Sequence, residues 1–181
     1  MINIKNSREI ELMKESGKLV GETLNMIESH IRPGISTLAL DKICEEFIMS
    51  HGATPSFKNY NGFTGSICAS VNNVVIHGIP SKEIILREGD IISIDCGAYL
   101  NGFHGDAART FRVGEVSSEA DRLIRITEES FFKGIEFAKV GQRVGDISNA
   151  IQTYVEANGL SVVRDFTGHG IGRELHEDPS I

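Results

Sequence analysis

Asp95 and Asp106 flank the dipeptide Asn101-Gly102, whose two residues both accept the positive φ of a tight hairpin turn. Ile91, Ile92 and Ile94 give the preceding segment β-branched strand character. If Asn101 and Gly102 form a two-residue loop, Asp106 faces Gly97 and lies diagonal to Asp95. A turn centred one bond earlier sets the two aspartates directly opposite. Both registers place them on one face. Opposed carboxylates then lie about 4.5 to 5.5 Å apart at Cβ, or about 7 Å on the diagonal, where like charges destabilise a sheet. A shared proton, a neighbouring Arg or a bound cation relieves that repulsion, and two oxygen donors on a rigid hairpin suit a divalent metal. Taken singly, either aspartate reads as a solvated strand residue.

Three histidines stand in polar, glycine-rich settings: His77 in His-Gly-Ile-Pro, His169 in Thr-Gly-His-Gly-Ile-Gly, and His176 in Leu-His-Glu-Asp-Pro. Glycines on both sides of His169 let the backbone approach closely and leave the imidazole facing a cavity. A lone histidine is more often structural, but beside an aspartate pair a metal ligand becomes the better reading. His30 and His51 fall at helix ends, where a cation suits the dipole. His104, two residues before Asp106, either orients that carboxylate or is an ordinary strand residue. Gly168 to Gly172 is no dinucleotide fingerprint, because it lacks the strand before it and the acid about 20 residues on. Cys96 adjoins Asp95, but no histidine faces it, so a buried strand thiol is expected rather than a nucleophile.

The elements that must carry these residues are legible in the hydrophobic spacing. Asn6 and Glu9 form a capping-box pattern, followed by Ile10, Met13, Gly17, Val20, Leu24, Ile27 and Ile31 at helical intervals. Pro33-Gly34 stops that helix; a second runs from about Thr37 to Ser50, with Leu40, Ile43 and Phe47 inward and His51-Gly52 at its end. Residues 53 to 65 read as loop, and Ser66–Val71 and Val74–His77 as strands around Asn72-Asn73, followed by a charged connector to Gly89. After the aspartate hairpin, Ser117 opens a third helix with Ile124, Thr127, Phe131, Ile135 and Ala138 on one face. Asp146 caps a fourth, with Ile147, Ile151, Tyr154 and Val155 inward and Asn158-Gly159 as its stop.

The two helix pairs repeat at an offset of 107 residues, mapping Gly34 to Gly141, Leu40 to Ile147, Phe47 to Tyr154 and Gly52 to Gly159. Phe63-Thr64-Gly65 likewise rhymes with Phe166-Thr167-Gly168. The pattern predicts two helix-helix-sheet halves related by a pseudo-twofold axis, with a site between them. It also predicts a second acid-bearing hairpin near positions 202 and 213, which lie beyond Ile181.

The 181 residues, 40% of them hydrophobic and 24% charged, are enough for a sizeable core, and a single domain over 1–181 is expected. A net charge of −7 with no basic run argues against nucleic acid as the main partner. No stretch approaches the length of a membrane span, and the N-terminus has no signal-like apolar region, so a cytoplasmic protein is expected. Cys44, Cys68 and Cys96 are odd in number and lack zinc spacing; reduced thiols follow, with Cys44 a small buried hydrophobe.

Four segments together resemble the type I methionine aminopeptidases: Val71 to Pro80 with its His77-Gly78-Ile79-Pro80, Ile94 to Gly97, Gly105 to Phe111, and Thr167 to Gly172. The resemblance runs from the first helix to the last residue. It implies an α+β pita-bread fold whose second half is incomplete, a metallopeptidase catalytic domain, and two divalent metals drawn from Co, Mn, Fe or Zn. By motif it makes Asp95, Asp106 and His169 metal ligands, and His77 and His176 the catalytic histidines that contact the scissile peptide. Phe57, Tyr60, Phe63 and Cys68 fall where the family lines its methionine pocket, and an apolar, sulfur-tolerant wall suits that side chain. The implied substrate is a peptide or nascent-chain N-terminus beginning with Met, attacked by metal-activated water, in a monomeric enzyme. The family also takes two further metal-ligating glutamates from a C-terminal hairpin that this sequence does not reach, so one metal held weakly, or none, is the expectation for these residues alone. Two rival readings are a relative of prolidase, aminopeptidase P or creatinase, and a pita-bread module that binds without turnover.

Overall fold

The computed structural model describes residues 1–181. In chain order the elements are α1 (Ser7–Glu28), α2 (Thr37–Ser50), β1 (Thr54–Pro55), a single 3-10 turn at Tyr60–Gly62, β2 (Ile67–Val71), β3 (Ile91–Leu100), β4 (Phe103–Arg112), α3 (Ser118–Ile135), α4 (Val144–Ala157), β5 (His169–Gly170) and β6 (Glu177–Ser180). They fall into two compact units, one of residues 2–116 and 171–177, the other of residue 1, 117–170 and 178–181.

In the larger unit β3 is the central strand. β4 pairs with all ten of its residues, while β2 and β1 share the opposite edge, all antiparallel. One sheet face presents Ile92, Ile94, Cys96 and Ala98, which join Leu19, Val20, Leu24, Ile27, Leu40, Cys44 and Ile48 from α1 and α2 in a single apolar core. Asn6 caps α1 through the reciprocal box with Glu9, and Ser36 caps α2. Gly105 sets how closely α1 and β4 approach, since a Cβ there would lie 2.7 Å from the Ser16 backbone. The Ser16 hydroxyl then donates to the carbonyls of Phe103 (3.0 Å) and Leu100 (3.2 Å).

One expected strand is absent. Val74–His77 forms no ladder, and Val74, Val75 and Ile76 are exposed. The cause is local: His77 adopts φ +57°, which no strand accommodates, and the chain returns so closely that a Cβ on Gly78 would lie 2.3 Å from the Ala69 carbonyl oxygen.

In the smaller unit α3 packs on α4 through Gly134, where a Cβ would come within 2.7 Å of the Ile151 side chain. α3 buries Ile124, Ile126, Ser130 and Gly134. The expected inward face was different: Phe131 is 57% exposed and Ile135 48%, Thr127 is exposed, and Ala138 lies beyond the helix end. The apolar stripe of α3 is wider than its contact with one partner helix, and periodicity alone cannot say which edge of a wide stripe is covered. β5 and β6 form a short two-stranded sheet, closed by reciprocal bonds between Gly168 and Ile181. The amino group of Met1 pairs with Asp178.

The repeat is present in the elements themselves. α2 and α4 are each 14 residues, and Thr37 and Ser50 map onto Val144 and Ala157 at the same offset of 107. Gly34 and Gly141 (φ +89° and +92°) precede them, and Gly52 and Gly159 (φ +75° and +70°) follow them, in matching left-handed conformations.

Candidate functional site

The hairpin turn settles the register of the aspartates. Asn101 (φ +53°) and Gly102 (φ +88°) form the two-residue loop, so Asp106 faces Gly97 and Asp95 faces Ala108. The aspartates are diagonal neighbours on the sheet face opposite the core. Their carboxyl groups lie within hydrogen-bond reach of each other, and Asp95 is largely shielded from water. Burial first, then the charge and hydrogen bond of Asp106, push the Asp95 carboxyl up to about 8. At neutral pH the metal-free pair therefore shares a proton.

A divalent cation fits where that proton sits, because two hard oxygen donors already converge and the cation neutralises both carboxylate charges where the proton neutralises one. His169, in the smaller unit, donates from Nδ1 to the Gly170 carbonyl at 2.9 Å, which leaves Nε2 as the lone-pair nitrogen of the neutral ring, the state a metal ligand requires. No group of three or more His, Cys, Asp or Glu side chains is assembled in a metal-holding arrangement. Asp95 and Asp106 are thus the pair of expected ligands that the structure brings together.

Beside the carboxylates lies an apolar cluster. Phe57, Cys68 and Leu175 are buried in it, with Phe63 and Ile171 packed against them. Cys68 is directly opposite Asp95 in the β2–β3 ladder, and both aspartate charges reach it. Gly97 makes room for the rest: a Cβ there would meet Ser56 at 2.8 Å and Phe57 at 3.0 Å. Of the four residues expected to line a pocket, Phe57, Phe63 and Cys68 meet in this cluster. Tyr60 instead stands beside His176, its hydroxyl 2.9 Å from Nδ1 and the ring centroids 5.4 Å apart.

Sequence reasoning missed Leu175 and Ile171. The available signal was their adjacency to His176 and to the Gly-rich run of His169, but an isolated apolar residue in a polar segment does not announce what it packs on. It also missed the Lys5 to Glu177 ion pair (2.5 Å), whose side chains are 15% and 7% exposed and which abuts Gly172.

The remaining histidines separate clearly. His77 lies on the exposed loop after β2. His104 bonds the Ser56 hydroxyl through Nδ1 at 2.8 Å and stacks on Tyr99, and burial lowers its pKa. His30 and His51 bond the carbonyls of Met26 and Phe47 at helix C-termini. The nucleophile reading of Cys96 is excluded by its burial, which raises its thiol pKa well above the ordinary value.

Residues 11–181 match metallopeptidase family M24. Over its whole length the chain is 65% identical to the methionine aminopeptidase of Clostridium perfringens, covering 72% of that protein. It is 55% identical to methionine aminopeptidase 1 of Bacillus subtilis, covering 73%. Among solved structures, the methionine aminopeptidase of Rickettsia prowazekii superposes with a TM-score of 0.97 at 46% identity, over all of this chain and 73% of that one. The Xaa-Pro dipeptidase of Bacillus anthracis superposes with a TM-score of 0.83 at 29% identity, over 97% and 48%.

Proposed function

The chain belongs to metallopeptidase family M24 and to its methionine aminopeptidases, and on that premise we propose that it removes the N-terminal methionine from peptides and nascent chains by metal-dependent hydrolysis. It has the pita-bread fold of that family, and the family uses divalent metal. The observation that carries the proposal is the adjacency of the Asp95–Asp106 pair to the cluster of Phe57, Phe63, Cys68 and Leu175, which sets a cation site one strand away from an apolar, sulfur-bearing wall. The match over residues 11–181 touches both units, which supports one catalytic domain over 1–181.

Asp95, Asp106 and His169 would hold Co, Mn, Fe or Zn, two ions where the ligand set is complete. When bound, such an ion makes water nucleophilic near neutral pH and polarises the scissile carbonyl. The chain's own side chains do the rest. The wall of Phe57, Phe63 and Cys68, with Tyr60 at its side, accepts the methionine side chain, excludes water and so positions the first peptide bond. His77 and His176 donate hydrogen bonds to the peptide as charge develops on its oxygen. No helix is long and apolar enough to cross a membrane, and the three free, buried cysteines suit a reducing compartment. We place the enzyme in the cytoplasm, acting as a monomer.

Specificity for methionine over an Xaa-Pro bond is favoured by identities of 65%, 55% and 46% with methionine aminopeptidases against 29% with the Xaa-Pro dipeptidase. The test is release of Met from a Met-Ala-type peptide with Mn or Co added, in competition with an Xaa-Pro dipeptide. Met release that disappears in Asp106→Ala supports the reading. Turnover of the proline peptide alone by folded, metal-supplied protein overturns it.

A further inference from the structure

The 3-10 turn at Tyr60–Gly62 is held in an unusual conformation. Asn59 (φ +66°) and Asn61 (φ +47°), on either side of Tyr60, both occupy the left-handed region, and Asn61 does so inside the turn. Such backbone persists only where the surroundings over-determine it. Here the backbone is pinned by Asn59 N–H to the Phe63 carbonyl (2.8 Å), Tyr60 N–H to the Phe57 carbonyl (2.9 Å) and Phe63 N–H to the Tyr60 carbonyl (2.9 Å). The effect is to carry the Tyr60 hydroxyl to the imidazole of His176.

The other side of this contact is equally constrained. Glu177, next in the chain to His176, is held by Lys5 at 2.5 Å and accepts from the Glu174 N–H at 3.3 Å. Gly172 is needed for that approach, since a Cβ there would lie 2.4 Å from a Glu177 carboxylate oxygen. Leu175, on the other side of His176, is buried at 3% exposure in the apolar cluster. The backbone around His176 is therefore anchored, and Tyr60 holds the ring.

We propose that Tyr60 is a positioning residue for His176: its phenolic O–H donates to Nδ1, which holds the neutral imidazole in the tautomer that carries its proton on Nε2 and directs that N–H as a hydrogen-bond donor. A neutral imidazole has one donor and one acceptor nitrogen, so the bond on one nitrogen selects the role of the other. The inference rests on the reading of His176 as a donor to the peptide, and it assigns to the Tyr60 hydroxyl a task distinct from lining a pocket.

The test is two-bond proton–nitrogen correlation on protein labelled with nitrogen-15 histidine, with His176 assigned through His176→Ala. The parent is expected to show His176 with Nε2 protonated and Nδ1 bare, and Tyr60→Phe, which keeps the ring and removes only the hydroxyl, to shift His176 to a mixture of tautomers. A proton on Nδ1 in the parent, or an unchanged spectrum in Tyr60→Phe, overturns the proposal. This readout needs no turnover, so it is decided separately from the reading of the enzyme, which fails if the parent turns over the proline peptide alone. In the release assay, Tyr60→Phe is expected to lower kcat about tenfold with KM within about twofold, as for loss of one hydrogen bond to a group acting in the transition state. Tyr60→Phe should cost nothing further in the His176→Ala background. An independent loss there would make Tyr60 a pocket residue alone.

Discussion

Cys68 lies directly across the β2–β3 ladder from Asp95, on the sheet face that carries the carboxylate pair. A soft, small, apolar side chain and a metal-type oxygen donor are thereby one strand spacing apart. Substrate recognition and hydrolysis can then share one rigid support, which is what a short side chain followed immediately by a scissile bond demands.

The paired aspartates make the metal-free protein sensitive to pH. Asp95 is pushed from 3.8 to about 8 by burial and by Asp106, so between those values the folded chain holds a proton that the unfolded chain has released. The stabilisation is complete below about pH 3.8 and is lost as pH rises through about 8. Thermal melts in chelator should therefore show Tm falling from pH 5 to 8.5, with a flatter profile for Asp95→Asn. A parent profile as flat as that of the variant would refute this.

Metal should reverse that loss. At a Mn or Co concentration about 100 times Kd, the folded parent gains about 2.7 kcal/mol, read as a rise in Tm near pH 8. Asp106→Ala should show no rise, and an equal rise in both proteins would place the ion elsewhere.

Gly97 is required for the apolar wall. In Gly97→Ala the new Cβ meets Ser56 and Phe57 at 2.8 and 3.0 Å, so urea denaturation should report a loss of about 1 to 3 kcal/mol from overpacking. Binding of a methionine-like ligand should weaken at the same time, because Phe57 must move.

Asp41 anchors the start of β2. Its buried carboxylate accepts from the N–H groups of Ser66 (2.7 Å) and Ile67 (3.0 Å). Asp41→Ala strands both donors, and the expected cost is about 2 to 4 kcal/mol. Stability within 1 kcal/mol of the parent would mean that other groups replace the carboxylate.

The thiols should be inert in the native protein. Burial pushes Cys44 and Cys68 up to about 12, and Cys96 is raised as well. At pH 8 an aromatic disulfide reagent should titrate no thiol within minutes under native conditions and all three in guanidinium. Rapid labelling of Cys68 in the folded protein would show that the apolar cluster opens.

What could be read without coordinates was whatever rests on local chemistry. Asn6 with Glu9, Ser36, Ser117 and the glycine stops mark helix ends because capping and left-handed termination depend on a few adjacent residues. Asn101-Gly102 placed the two aspartates on one face whichever register held, since strand side chains alternate with period two. The offset of 107 carried α2 onto α4 residue for residue. Other features were decided by partners distant in the chain. The covered edge of α3 and the meeting of Tyr60 with His176 and of Lys5 with Glu177 depend on what packs from elsewhere. Periodicity records that a face is apolar; only close packing between elements determines what lies against it.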